Sequence, residues 1–223
     1  MKSVDYKALV HSANPDNRIL AAEHGYGWDI LVHDPVPEVR LAVAFQSYGL
    51  DELINDHDPM VAEVAKYMSY ARSDDDYHRL LAAKHGYCLN ILVYDDKWTV
   101  REEVAKRGYG LDILIHDKDK DVRVAVAKQK YGLDILVKDE SWHVRQAVAE
   151  QGFGLHILIN DELAPVRLAV AQQGYGLDTL INDSSLAVRC AVASQGYGLD
   201  ILINDEERAV REAVKEVLRK VNN

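Results

Sequence analysis

The sequence predicts an all-α solenoid of about ten tandem 22-residue repeats, each holding one longer and one abbreviated helix. Three observations carry that expectation. Arg101, Arg123, Arg145, Arg167, Arg189 and Arg211 fall 22 residues apart, with Arg18, Arg40 and Arg79 in the same series. An aspartate stands six residues before each arginine of the regular repeats, at Asp34, Asp95, Asp117, Asp139, Asp161, Asp183 and Asp205. A Gly-Tyr-Gly turn signal recurs in the same register, as at Gly174–Gly176.

The longer helix follows from ordinary start and stop signals. The recurring aspartate suits the start of a helix, where its carboxylate can accept from an unpaired amide, and Pro35, Asp96, Glu140, Glu162 and Glu206 suit a first turn. A Val, then Ala and Val three and four residues on, make the buried stripe, as in Val166, Ala169 and Val170. Gly108, Gly152, Gly174 and Gly196 then end it, because glycine adopts positive φ cheaply. About ten to twelve residues are expected for this helix. The other helix centres on Leu-Asp-Ile-Leu-Ile, about two turns, either α or 3-10, with clustered apolar positions fitting a broad buried face. A leucine-rich horseshoe strand is the alternative at this period, but the L-x-x-L-x-L-x-x-N spacing is missing. Neither helix can cover its stripe within one repeat, so the core must form between neighbours.

Two places depart from the pattern. Near residues 60–80 Ala62 stands where an arginine is due and Arg79 follows only 17 positions later, a shortening of the next helix that predicts a kink or looser joint near Ala71 to Asp76. At the other end, residues 206–221 extend the last helix with Glu212, Lys215, Glu216, Arg219 and Lys220, a charged skin suited to a cap. The pattern runs through residues 1–223 as a single domain.

The segments Asp-x-x-x-x-Val-Arg-x-Ala-Val-Ala, as in Asp161 to Ala171, resemble the HEAT-like repeats, and the short period with one abbreviated helix is similar to the leucine-rich repeat variant family. The resemblance implies a right-handed superhelix that binds other macromolecules. The repeats here are shorter, Gly-Tyr-Gly replaces the Asn-Pro of the variant family, and the cysteine cluster that can hold an iron-sulfur centre there is missing, so no cofactor is carried over.

Composition narrows the function. Asp plus Glu total 36 against 26 Lys plus Arg, a formal charge of -10, which disfavours direct nucleic-acid binding and suits a protein partner with a basic surface. No apolar run approaches the ~18 residues of a membrane span, and Cys88 and Cys190 stand alone, so a soluble cytoplasmic protein is expected. No H-x-x-x-H, H-E-x-x-H or phosphate-loop pattern occurs, so no catalytic, cofactor or metal residue is assigned.

The arginines are expected to make bidentate pairs with the aspartates between adjacent repeats, as a structural ladder over Arg40, Arg101 and onward. The tyrosines of the Gly-Tyr-Gly turns are expected to pack over the junctions, and Asp29, Asp51, Asp112, Asp134, Asp178 and Asp200 to form a solvated acidic row. Partner contacts should lie where repeats differ. Trp98 and Trp142, with His143, Leu163 and Leu186, could form an apolar strip; Phe45 and Tyr67 belong to a second variable set expected to be partly exposed. A non-enzymatic protein-binding scaffold is the leading expectation. An acidic decoy for a nucleic-acid-binding protein and a helical-repeat DNA glycosylase or lyase are the alternatives.

Overall fold

The computed structural model describes residues 4–221, and these form 19 helices and no strand. The chain divides into two compact bodies that part between Tyr109 and Gly110. The N-terminal body holds α1 (Tyr6–Leu9), α2 (Pro15–Glu23), α3 (Trp28–Leu31), α4 (Pro37–Phe45), α5 (Leu50–Leu53), α6 (Pro59–Tyr70), α7 (Asp76–Lys84), α8 (Leu89–Leu92) and α9 (Trp98–Lys106). The C-terminal body holds α10 (Leu111–Leu114), α11 (Lys120–Lys128), α12 (Leu133–Leu136), α13 (Trp142–Glu150), α14 (Leu155–Leu158), α15 (Ala164–Gln172), α16 (Leu177–Leu180), α17 (Leu186–Ser194), α18 (Leu199–Leu202) and α19 (Arg208–Val221). In each body the longer helices stack serially: α2, α4, α6, α7 and α9 in the first, α11, α13, α15, α17 and α19 in the second. This is the α-solenoid that the repeat predicts.

The helix boundaries differ from the sequence expectation, for a reason the backbone makes plain. The ladder aspartate is not the N-cap; it sits two residues earlier and its Oδ1 accepts the amide of the N-cap residue, Val36 at 2.9 Å, Leu163 at 2.9 Å and Ser185 at 2.8 Å. That Asx-type turn delays the helix, so Trp98, Trp142 and Leu186 become first helical residues and the regular longer helices span nine residues rather than ten to twelve. The far end behaves as the glycines suggest. Gly174 (φ 73°) donates to the Ala171 carbonyl and Tyr175 to that of Val170, a Schellman closure that satisfies two orphan carbonyls.

The second glycine of each turn, such as Gly176 (φ 60°), starts the short helix, which is a single four-residue α turn and not 3-10. A side chain there would collide with the preceding repeat: a Cβ on Gly154 would lie 2.5 Å from Val137 Cγ2. One turn has room for one inward residue, and it is the fourth. Leu31, Leu53, Leu92, Leu114, Leu136, Leu158, Leu180 and Leu202 are all fully buried, where each contributes roughly 1.5–3 kcal/mol of apolar burial. With valines such as Val144 and Val148 and alanines such as Ala149 they make up the buried core. The expected broad buried face on these helices is therefore corrected: the third residue, usually isoleucine, points away from the stack.

The irregular repeat is also not what a shortened helix would give. Helix α7 has the usual nine residues, whereas α6 has twelve, because the turn and short helix are merged into the longer one. Ala71 caps α6 where Val32 and Val93 cap short helices, and Ser73 occupies the ladder-aspartate position. The arginine due at Ala62 and the aspartate due at Ser73 are thus lost together, so no half of a pair is stranded. Ala71 also explains why Cys88 can stand where other turns place glycine: the residue 17 earlier is Ala71 rather than Val or Ile.

Candidate interaction surface

Arg18, Arg40, Arg79, Arg123, Arg145, Arg167 and Arg189 each reach two repeats at once. Arg145 donates Nε and Nη2 to the Asp161 carboxylate at 2.6 and 3.0 Å, 16 residues on, and Nη1 to the backbone carbonyl of Asp139 at 2.8 Å, six residues back. The same geometry links Arg18 to Asp34, Arg40 to Asp56, Arg79 to Asp95, Arg123 to Asp139, Arg167 to Asp183 and Arg189 to Asp205. The aspartate six residues before an arginine therefore meets it through its carbonyl, and its carboxylate serves the preceding repeat. Arg101 and Arg211 make the corresponding Nη1 contact to the carbonyls of Asp95 and Asp205. Asp117 holds the Asp119 amide at 2.9 Å. Asp56 is a ladder member that the sequence list omits, although it stands 22 residues after Asp34.

These pairs are nearly closed to solvent, with side chains of Arg40 and Asp56 only 5 and 6 % exposed. At Asp56 and Asp205 the hydrogen bonds from Arg40 and Arg189 hold the carboxyl below its ordinary range against the opposing effect of burial. At Asp34, Asp161 and Asp183 burial is the largest influence and pushes upward, but the paired arginine, the amide two residues on and a second arginine together still bring the carboxyl down. Their donors and acceptors are committed to the fold, which leaves little for a ligand.

Open grooves lie over these pairs, between successive short helices. One is lined by Val32, His33, Asp34, Arg40, Glu52 and Asp56 in the N-terminal body; its counterparts in the other body lie over Arg123 and Arg189, with Ile135 and Ile201 on one wall. A fourth, of different character, lies beside the merged helix between Ser47 and His78. Ser47 (φ 62°) replaces a turn glycine there, and its hydroxyl is buried without a hydrogen-bond partner.

The short helices present two rows that the sequence reading did not single out as one surface. Ile30 and Ile91 in the first body, and Ile113, Ile135, Ile157 and Ile201 in the second, are between 39 and 59 % exposed. Immediately before them stand Asp29, Asp112, Asp134 and Asp200, exposed and without an ion pair among the described residues. The isoleucines were legible as a 22-residue series; what hid their exposure was the assumption of a two-turn helix.

The residues proposed from sequence lie mostly at the starts of longer helices. Trp98, 41 % exposed, starts α9 in the N-terminal body; Trp142 starts α13 in the other, half-buried with its ring stacked 3.7 Å from that of His143. Leu163 is the half-buried N-cap of α15 and Leu186 the exposed first residue of α17. Phe45 ends α4 and is half exposed. Tyr67 is not partly exposed as expected: the merged α6 turns it inward, where its hydroxyl lies 2.9 Å from His85 Nε2 and its ring stacks on His85 and Tyr87. The glutamines late in the longer helices link neighbours, Gln173 and Gln195 donating to the carbonyls of Glu150 and Gln172 at 3.2 and 3.0 Å.

Among the described residues no group of three His, Cys, Asp or Glu side chains gathers as a metal site needs, and no helix is long and apolar enough to cross a membrane. No family model matches the sequence, and no curated protein matches it either.

Proposed function

We propose that this chain is a non-enzymatic protein-binding scaffold of the HEAT-like or leucine-rich repeat variant kind, acting in the cytoplasm on a partner with a basic surface. One observation carries the reading. The isoleucine at the third short-helix position stays open to water in repeat after repeat, although the fold closes over its neighbouring leucine. Exposed apolar rows of this kind mark interaction surfaces, and folding draws no benefit from them. The acidic balance of -10 gives the face its preference in charge.

A helical-repeat glycosylase or lyase needs a basic or enclosed cleft. The grooves here are open, and their arginines already hold aspartates. The decoy reading draws support from the unpaired aspartate row, and salt separates it: a phosphate mimic loses affinity steeply as salt rises and is indifferent to the isoleucines.

The test is affinity capture from native cells with the wild-type chain and with the triple variant Ile135→Glu, Ile157→Glu and Ile201→Glu, its folding checked by circular dichroism. A partner retained by the wild type and lost by the variant is expected. Undiminished capture by the variant would refute this surface, and undiminished capture after Trp98→Ala with Trp142→Ala would remove the tryptophans from it.

A further inference from the structure

On the scaffold reading, we infer that the short-helix face of the C-terminal body receives a lysine- or arginine-rich amphipathic helix, laid across the repeats with an apolar residue at every seventh position.

The surface has two lanes. In α10, α12, α14, α16 and α18 the second and third residues point outward while the fourth is buried. The third-position lane carries Ile113, Ile135, Ile157 and Ile201, with Thr179 as its one polar step. The second-position lane carries Asp112, Asp134, Asp178 and Asp200, with His156 as its one uncharged or cationic step. None of these four carboxylates has an ion-pair partner among the described residues, so a cation set against them displaces nothing. Glu140 and Glu206 line the grooves as well, 89 and 86 % exposed, and lie 3.5 and 3.9 Å from the ladder arginines Arg123 and Arg189. Lys118 and Lys138 are the cations in the groove over Arg123; the groove over Arg189 has none besides that paired arginine. The charge complement of this face is therefore positive.

The pitch selects the shape of the partner. The longer helices pack directly on one another, which sets successive repeats roughly 8–10 Å apart. In an α-helix every seventh residue recurs on one face at about 10.5 Å. An extended strand advances about 10 Å in three residues, but odd steps alternate between its two faces, so it cannot keep one row of apolar side chains on the isoleucine lane. A helix with leucine at each seventh position and lysine beside it matches both lanes at once.

The probe is a synthetic 28-residue helical peptide of that pattern, titrated into the full chain by fluorescence anisotropy. Two controls accompany it: one of equal composition with the leucines spaced by five, and one with every lysine replaced by glutamate. The patterned peptide is expected to bind at least about tenfold more tightly than either control. Ile135→Glu with Ile157→Glu is expected to weaken it by about tenfold or more. Asp134→Lys with Asp178→Lys, which touches only exposed groups, is expected to weaken it as well and to raise affinity for the glutamate peptide. Equal affinity for the two leucine spacings, or binding unchanged by both variants, would overturn the inference. If capture of native partners is lost in the isoleucine variant while the patterned peptide fails to bind, the helical partner is refuted and the scaffold stands; if the peptide binds and capture is unaffected, the scaffold reading falls instead.

Discussion

Replacing Asp161 by serine and Arg145 by alanine together should cost less than the two single replacements added. In the native chain the Asp161 carboxylate takes two hydrogen bonds from Arg145, at 2.6 and 3.0 Å, and one from the Leu163 amide at 2.9 Å. The two side chains are 12 and 6 % exposed, so water cannot replace a lost partner. Asp161→Ser leaves the guanidinium without its counter-charge, a loss of roughly 3–5 kcal/mol. Arg145→Ala leaves a buried carboxylate held by the Leu163 amide and should cost a comparable amount. Together the substitutions leave no charge behind, and the serine hydroxyl is placed to accept the Leu163 amide. Ser73 already does this for Asp75 at 3.1 Å, opposite Ala62. The double variant should therefore lie about 2–3 kcal/mol above the sum of the singles. Urea unfolding followed by circular dichroism supplies the cycle, and hydrogen exchange in α13 and α15 shows whether the loss is local. Losses that add to within about 0.5 kcal/mol would refute the coupling.

Three more outcomes follow from the same geometry. Because Asp34, Asp56, Asp161, Asp183 and Asp205 titrate lower folded than unfolded, the unfolded chain binds protons first as pH falls. Their stabilisation is complete above the unfolded value of about 3.9 and is lost as pH drops through it and on through the folded values, so a melting temperature unchanged between pH 5 and pH 3 would contradict the ladder. Gly154→Ala combines a left-handed φ of 61° with a Cβ 2.5 Å from Val137 Cγ2 and should cost about 2–3 kcal/mol in chemical denaturation; Val137→Ala should relieve the collision part, copying the Cys88 and Ala71 pairing. Amides of residues 71–76 should exchange faster than those in the middle of α6 and α7, since the forward clamp from position 62 is missing there, and uniform protection across residues 60–80 would count against a looser joint.

The repeat made the architecture legible, because 22-residue spacing of Arg, Asp and Gly has no economical account outside a stack of equivalent modules. Periodicity located elements but not their ends. Asp34 and its equivalents looked like N-caps, since a carboxylate accepting an amide serves an Asx turn as well as a cap, and only the backbone distinguishes a two-residue offset. The merged α6 was hidden for a different reason: a five-residue loss reads as a shortened helix until the capping role of Ala71 is seen. The isoleucine lane was missed because hydrophobicity in a short segment was equated with burial, which a one-turn helix cannot provide for three neighbouring side chains.

The forward reach of each arginine, to the carboxylate 16 residues ahead, gives the array a polarity and a unit of editing. Excising any stretch of 22 residues between equivalent positions re-forms every brace, so that without residues 152–173 Arg145 would meet Asp183 in the place of Asp161. A change of any other length must dispense with an arginine and its aspartate together, and the irregular repeat lacks both, with Ala62 and Ser73 in their places. Such a protein can lengthen or shorten its reading surface by whole steps while its interior chemistry stays the same.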